Sequence, residues 1–262
     1  MDLGLQGKRA LVLAGTKGLG AGVARALCAE GVEVMICGRS GASQAAKTFS
    51  SDAAGGGLVH GMDCDVYDRA ALDGLLDATL AKLGGVDILV LNGGGPPPGP
   101  AVGTSADDWE LWFGRMFANL VHAANRCLPA MREQRWGRLL TIASSAAIQP
   151  LENMGLSNSI RAGLLAWNKT LSLEVAADGV TCNMLLPGRI DTDRVKALDQ
   201  ANATRLGKTP DEVREQARLG IPARRYGSAE EFGAVGAFLC SERASYMTGS
   251  AVRVDGGLIK AM

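Results

Sequence analysis

The fold is decided by a glycine-rich segment near the N-terminus, Leu13-Ala14-Gly15-Thr16-Lys17-Gly18-Leu19-Gly20. The run before it, residues 9–14, is β-branched and leucine-rich like a buried strand, and the stretch after it, residues 19–30, has the apolar period of a helix. Glycines at such a turn let the backbone approach a pyrophosphate, and the helix N-terminus offers free N–H groups to the anion. The segment therefore predicts a dinucleotide site, with an ordinary strand-to-helix turn as the alternative.

The strand pattern recurs along the rest of the chain. It is found at residues 32–37, 58–62, 86–91, 138–143, 180–186 and 251–254. Longer amphipathic stretches lie between these runs, including residues 69–83, 109–135 and 159–177. Strands that alternate with helices favour a parallel sheet covered by helices on both faces. We therefore predict one α/β domain over residues 1–262, with a doubly wound parallel sheet of about seven strands.

Composition excludes several classes of protein. The 262 residues include 35 glycines, about twice the average share. Because 47% of the residues are hydrophobic and only 9 are prolines, this excess does not indicate a fibre or a disordered linker. We interpret it as a sign of backbone that passes close to a ligand.

Charge and cysteine usage restrict the partners and metal sites that the chain is expected to have. The 27 Lys and Arg residues balance 27 Asp and Glu residues, so no basic excess indicates binding to nucleic acid. The six cysteines form no C-x-x-C pair and are accompanied by only two histidines, so neither a disulfide framework nor a metal site is predicted. No apolar run approaches the roughly 18 residues that span a bilayer. We expect a cytoplasmic protein without membrane contact.

The second predicted strand indicates which dinucleotide is bound. A carboxylate about 20 residues beyond the glycines usually selects NAD by accepting hydrogen bonds from the ribose. This chain has Arg39 near that position instead, and Arg39 together with Lys17 could neutralise a 2′-phosphate. We therefore predict NADP(H) as the cofactor. Two solvated surface cations are the alternative interpretation.

A segment after the sixth strand is predicted to cover the site. Residues 191–218 are the least regular part of the chain, with mixed charges, Gly207 and Pro210. Ligands of open α/β sheets lie beyond the carboxyl ends of the strands, where such a segment would follow. We expect a mobile substrate cover, with an ordinary surface excursion as the alternative.

The ordered motifs resemble those of the short-chain dehydrogenases/reductases, from about Leu5 to Leu258. The loop that ends at Gly20 is similar to the family's cofactor loop, although Ala14 stands where the first glycine is usual. The resemblance implies a Rossmann fold and, within the family, a likeness to β-ketoacyl carrier-protein reductases. It also implies cofactor contacts from Asp65 and Val66, from Asn92, Gly93 and Gly94, and from Pro187, Gly188, Ile190 and Thr192.

The catalytic motif departs from the family pattern. Asn119 and Ser144 match the family's asparagine and serine, but the expected Tyr-x-x-x-Lys is replaced by Ser157 and Arg161. These four residues are the catalytic candidates, and Arg161 also stands where the family binds the cofactor ribose. Neither Tyr67 nor the two later tyrosines, Tyr226 and Tyr246, occupies the catalytic position in the sequence.

The resemblance implies an NADP(H)-dependent oxidoreductase that acts on a small or acyl-type carbonyl or alcohol and assembles as a dimer or tetramer. Loss of a general acid typically slows a reaction by about 10² to 10⁴, so hydride transfer is slowed rather than abolished. Two alternatives remain open. The chain could be a catalytically silent NADP(H)-binding or interaction protein, or a non-redox enzyme such as a dehydratase or isomerase.

Overall fold

The computed structural model describes residues 2–53 and 56–260. Within these ranges every predicted strand is present: β1 Arg9–Val12, β2 Glu33–Gly38, β3 Val59–Asp63, β4 Ile88–Leu91, β5 Gly137–Ile142, β6 Val180–Pro187 and β7 Ala251–Val254. They form one parallel sheet in the order β3-β2-β1-β4-β5-β6-β7. The predicted doubly wound parallel sheet is confirmed.

The helices of the described residues fill the crossovers between these strands. They are α1 Gly18–Ala29, α2 Ala42–Asp52, α3 Arg69–Leu83, α4 Ala106–Phe113, α5 Asn119–Glu133, α6 Gly155–Val175, α7 Asp193–Leu206, α8 Pro210–Leu219 and α9 Ala229–Leu239. None of them is long and apolar enough to cross a bilayer.

Alternate residues of each strand enter opposite cores. In β1, Leu11 packs into a cluster with residues of α3, α5 and α6, such as Leu72 and Leu128. Its neighbour Val12 packs into a second cluster with residues of α1 and α9, such as Leu27 and Phe232. Because the side-chain period of a strand is two, one strand supplies both cores. Helices on both faces follow directly from this alternation.

The strand order reverses beside β1, and this reversal positions the site. The chain runs outward from β1 through β2 to β3, and then crosses back to place β4 on the other side of β1. Just past the ladder, the N–H of Leu13 donates to the carbonyl of Val90 at 3.0 Å. The connections after β1 and β4 therefore diverge from a shared edge and open a crevice, which is where ligands bind in sheets of this type.

The helix predicted at residues 109–135 is interrupted. It begins earlier, at α4, where the Ser105 side chain accepts from the N–H of Asp108 at 3.1 Å. A π-helical turn, Gly114–Ala118, then separates α4 from α5. Such turns widen the helix by one residue and are frequent at functional sites. Here the turn sets the position of Asn119 at the start of α5.

The segment predicted to be irregular, residues 191–218, is helical instead. Thr192 caps α7, and Thr209 caps α8 through a reciprocal pair of hydrogen bonds with Glu212. Gly207 ends α7 with a φ of +63° and Pro210 begins α8, so the two residues that suggested irregularity are the helix boundaries.

Candidate functional site

The glycine-rich loop turns tightly between β1 and α1. The N–H of Gly15 donates to the carbonyl of Cys37 at 2.8 Å, and Gly18 adopts a φ of +57°. A Cβ on Gly20 would lie 2.5 Å from the Ala14 carbonyl oxygen, so only glycine fits there. The loop is therefore compact enough for α1 to start directly at the crevice.

The N-terminus of α1 is left open to an anion. Its N-cap residue, Lys17, makes no side-chain capping bond, and the first turn contains no acidic residue. A Cβ on Gly18 would lie 3.5 Å from Thr192 Cγ2, which places Thr192 beside the loop. The free N–H groups and the positive end of the helix dipole fit a pyrophosphate at this position.

The two cations predicted to contact the 2′-phosphate, Lys17 and Arg39, are both exposed at this edge of the sheet. Lys17 precedes α1 and Arg39 follows β2. Neither has an ion-pair partner within the described part of the chain. Thr16 packs against Gly38, which holds the loop close to the end of β2. Both cations are thus available to a ligand phosphate.

The turn after β4 is tied to the glycine-rich loop. Asn92 Nδ2 donates to the Ala14 carbonyl at 3.2 Å. Beyond it, a Cβ on Gly93 would lie 3.6 Å from the Tyr67 ring, and one on Gly94 would lie 3.0 Å from Tyr67 Oη. The predicted contacts Asn92, Gly93 and Gly94 therefore line the crevice next to the end of β3.

At the end of β3, the two predicted adenine contacts differ in exposure. Asp65 is exposed, and its Oδ1 accepts from the N–H of Tyr67 at 3.0 Å. Val66 is 6% exposed, and its carbonyl accepts from Asn119 Nδ2 at 2.9 Å. Arg69 donates to Asn119 Oδ1 from Nε at 3.0 Å and from Nη2 at 2.8 Å. Both Oδ1 and Nδ2 of Asn119 are therefore used in holding α5 against the end of β3.

Ser157 and Arg161 are brought together on one face of α6. Ser157 is 4% exposed, and its Oγ accepts from Arg161 Nε at 3.3 Å. Burial, together with repulsion from Arg194, lowers the pKa of Arg161 to about 10. Ser144 lies at the end of β5, where its Oγ accepts from the N–H of Ala146 at 3.1 Å. Ser144 thus follows the carboxyl end of β5, and Arg161 reaches the turn after β4, where a Cβ on Gly95 would lie 3.5 Å from its Nη2.

The segment after β6 is held by the C-terminal strand. The Gly188 N–H donates to Val254 at 2.9 Å, and a Cβ on Gly188 would lie 2.5 Å from Asp255 Cα. Ile190 is 3% exposed and forms an isolated bridge with Gly227. The backbone of Pro187, which ends β6, is thereby fixed as it enters the crevice.

Two further side chains, Tyr67 and Arg194, lie at the crevice and were not predicted from the sequence to belong to the site. Tyr67 Oη is buried without a hydrogen-bond partner in the described structure. Burial raises the pKa of Tyr67, against the attraction of Arg161 and Arg194. The available signals were a tyrosine directly after Asp65-Val66 and an arginine two residues after Thr192, but spacing alone does not connect them.

Comparison with known proteins defines the class. A family model described as Enoyl-(Acyl carrier protein) reductase matches residues 13–259. With the sheet order and the crevice described above, this shows that the chain belongs to the short-chain dehydrogenases/reductases. The chain is 32% identical to the 3-oxoacyl-(acyl-carrier-protein) reductase FabG of Salmonella typhimurium, over 98% of this chain and 99% of that protein.

Solved structures agree with this assignment. L-sorbose reductase from Gluconobacter frateurii, complexed with NADPH and L-sorbose, superposes with a TM-score of 0.93 at 29% identity, over 100% of both chains. YwfH, an NADPH dependent reductase involved in bacilysin biosynthesis, superposes with a TM-score of 0.90 at 27% identity, over 97% of this chain and 99% of its own. Both relatives are reductases that share the fold of this chain.

Proposed function

We propose that the chain is an NADP(H)-dependent oxidoreductase that interconverts a carbonyl and an alcohol in an atypical active site. The observation that carries this proposal is the open N-terminus of α1 at the β1–β4 crevice, without an acid in its first turn and with Lys17 and Arg39 exposed beside it. The NADPH of the two solved relatives supports the choice of cofactor. Family membership supports the reaction class.

The residues present fit the cofactor in four places. The free N–H groups of α1 would hold the pyrophosphate, and Lys17 with Arg39 would hold the 2′-phosphate. Asp65 and Val66 would flank the adenine. The nicotinamide half would be surrounded by Arg161 and by two backbone segments. These are the turn after β4, with Asn92, Gly93 and Gly94, and the segment after β6, with Pro187, Gly188, Ile190 and Thr192. When bound, NADPH supplies a hydride to an electrophilic carbon.

The residues of the chain would then polarise the reacting oxygen. Ser144 Oγ and the guanidinium of Arg161 are hydrogen-bond donors that would stabilise negative charge as it develops there. Ser157 would orient Arg161 through the bond from Nε. Arg161 keeps its proton at neutral pH, so the proton that completes the alcohol would come from water or from the substrate. We therefore expect turnover to be slow for this family.

The cofactor assignment is tested by measuring dissociation constants for NADPH and NADH. We expect NADPH to bind more tightly than NADH. Arg39→Ala should raise the dissociation constant of NADPH about tenfold and leave that of NADH nearly unchanged, because one charge-assisted contact to the 2′-phosphate is lost. Lys47→Ala is the matched control, since Lys47 is an exposed cation on α2. Tighter binding of NADH by the unaltered protein would reject the assignment.

The reaction is tested by following NADPH oxidation with ketones, β-ketoacyl thioesters and imines. We expect turnover with at least one carbonyl and a loss of about 10² in kcat for Ser144→Ala. Tight NADPH binding without turnover would instead favour a silent binding protein. Product formed without added cofactor would favour a dehydratase or isomerase on this fold.

We also propose a dimer or tetramer, in line with the resemblance. Exposed apolar side chains on α4 and α6, namely Leu111, Phe113 and Leu173, support an apolar contact between copies. Sedimentation equilibrium measures the subunit number directly.

A further inference from the structure

Three hydrogen-bond donors converge on the turn after β4. A Cβ on Gly95 would lie 3.0 Å from Arg194 Nη2 and 3.5 Å from Arg161 Nη2, so both guanidinium groups reach the same point. One residue earlier, Tyr67 Oη lies beside Gly94. The donors come from α6, from the first turn of α7 and from the loop after β3.

The two guanidinium groups at this point are not ion-paired within the described part of the chain. Among the described residues, no carboxylate lies within ion-pair distance of Arg161 or Arg194. Arg115 adds a third cation, 6.0 Å from the centre of the Tyr67 ring. The acid that faces this group is Asp65, whose Oδ1 is bonded to the N–H of Tyr67. Arg161 and Arg194 repel each other, and an anion bound between them would relieve this repulsion.

The unpaired hydroxyl of Tyr67 is a second and independent indication. Its Oη is buried and has no partner within the described part of the chain. Buried polar atoms in native proteins are nearly always hydrogen-bonded, so an orphaned hydroxyl beside a crevice indicates a missing ligand atom. Tyrosine can donate to an anion as arginine does. The three side chains share a preference for an oxyanion.

We propose that Arg161, Arg194 and Tyr67 bind a carboxylate of the substrate, so that the preferred substrates are 2-oxo or 3-oxo acids. This inference rests on the proposed reductase function. Arginine binds carboxylates through two parallel hydrogen bonds, and the carboxylate would sit within one or two bonds of the reacting carbonyl. The phosphates of NADPH are assigned to other groups, namely Lys17, Arg39 and the free N–H groups at the N-terminus of α1.

The site also explains why Arg161 stands where the family has lysine. A guanidinium bonded to Ser157 through Nε still presents its Nη2 edge to a ligand. Arg194 approaches from α7, within the segment proposed as a substrate cover. Binding of an acid would therefore join the cover to the turn after β4.

The experiment compares acids with their neutral amides. Four- to eight-carbon 2-oxo and 3-oxo acids and the corresponding primary amides are titrated calorimetrically into the protein saturated with NADP⁺, so that binding is read without turnover. We expect at least one acid to bind tenfold or more tightly than its amide. Arg194→Met should reduce this preference to less than threefold, and Tyr67→Phe should reduce it partially.

Arg205→Met serves as the matched control, because Arg205 is an exposed arginine on the same helix. It should leave the preference for the acid intact. The proposal is overturned if no acid binds more tightly than its amide. It is also overturned if Arg194→Met weakens the binding of NADPH instead, since that result would assign Arg194 to a cofactor phosphate. Failure of the proposed function gives a different result, in which acids bind selectively but NADPH is never oxidised.

Discussion

At the scale of single residues, Ala14 holds an unfavourable backbone conformation at the start of the cofactor loop. Its φ is +48°, in the left-handed region that favours glycine. The conformation persists because its carbonyl accepts from Asn92 and its N–H donates to Cys37 Sγ at 3.3 Å. Alanine here therefore carries backbone strain that glycine would not.

We expect Ala14→Gly to raise the free energy of unfolding by about 0.5 to 1 kcal/mol. Relief of about 1 to 2 kcal/mol of left-handed strain exceeds the extra entropy that glycine gives the unfolded chain. Urea denaturation measures the change. Ala21→Gly, inside α1, is the control and should lower the stability by about 1 kcal/mol. A loss of stability in Ala14→Gly would contradict the strain argument.

At the scale of elements, α7 is anchored by one buried carboxylate. Asp199 is 3% exposed and accepts from Arg189, just after β6, and from Tyr226 Oη at 2.9 Å. The neighbouring helix α8 is joined to the same segment through Arg214 and Asp191, at 2.7 Å. The proposed cover is therefore attached to the sheet through a few polar contacts rather than a broad apolar face.

Asp199→Ala should loosen this segment without unfolding the rest of the molecule. Losing charged hydrogen bonds of about 1.5 to 3 kcal/mol should raise the population of the locally open state roughly ten- to a hundredfold. The measurement is the rate of limited tryptic cleavage within residues 193–219.

The control for this variant is Glu215→Ala, which breaks an exposed pair with Arg218 on α8. We expect its cleavage rate to change by less than about threefold, because exposed pairs contribute little. Equal acceleration in both variants would show that Asp199 is not the anchor.

At the scale of the whole molecule, Asp87 ties the centre of the sheet together. It accepts from Arg9 through the backbone N–H and Nε, both at 2.9 Å, and from Gln134 at the end of α5 at 3.0 Å. Burial opposes ionisation, but the bonds from Arg9 and Gln134 prevail and lower the pKa of Asp87. The carboxylate thus joins β1, β4 and α5 at the edge opposite the crevice.

We expect Asp87→Asn to lower the free energy of unfolding at pH 7 by about 2 kcal/mol. This expected loss is smaller than the loss caused by breaking a fully buried ion pair, because the Arg9 side chain is 29% exposed. Since the folded pKa is depressed, the contribution of Asp87 is present above the unfolded value of about 3.9 and disappears as pH falls below it. The difference between the variant and the unaltered protein should therefore shrink below about pH 3.9.

Denaturation curves at pH 7 and pH 3 test this dependence. Asp52→Asn is the control, because Asp52 pairs with Arg25 at an exposed position. This substitution should lower the free energy of unfolding by less than about 1 kcal/mol. A difference for Asp87→Asn that stays constant with pH would show that packing, and not the charge, is lost.

Much of this architecture was predictable because strand and helix periods are local properties. All seven predicted strands are present within the described residues. Their ends were harder to predict: β1 stops at Val12 because Leu13 and Ala14 leave the ladder to form the loop. The π-turn before Asn119 was not predictable, since neither composition nor period marks a one-residue widening of a helix.

The seven strands, the helices between them and the glycine-rich loop after β1 could be predicted from the sequence, because each depends on residues close together in the chain. The meeting of Tyr67, Arg161 and Arg194 at the turn after β4 is visible in the folded chain alone. They belong to three segments that are far apart in the chain. Their convergence depends on the strand order and on the directions of side chains across the crevice, which no spacing in the sequence encodes.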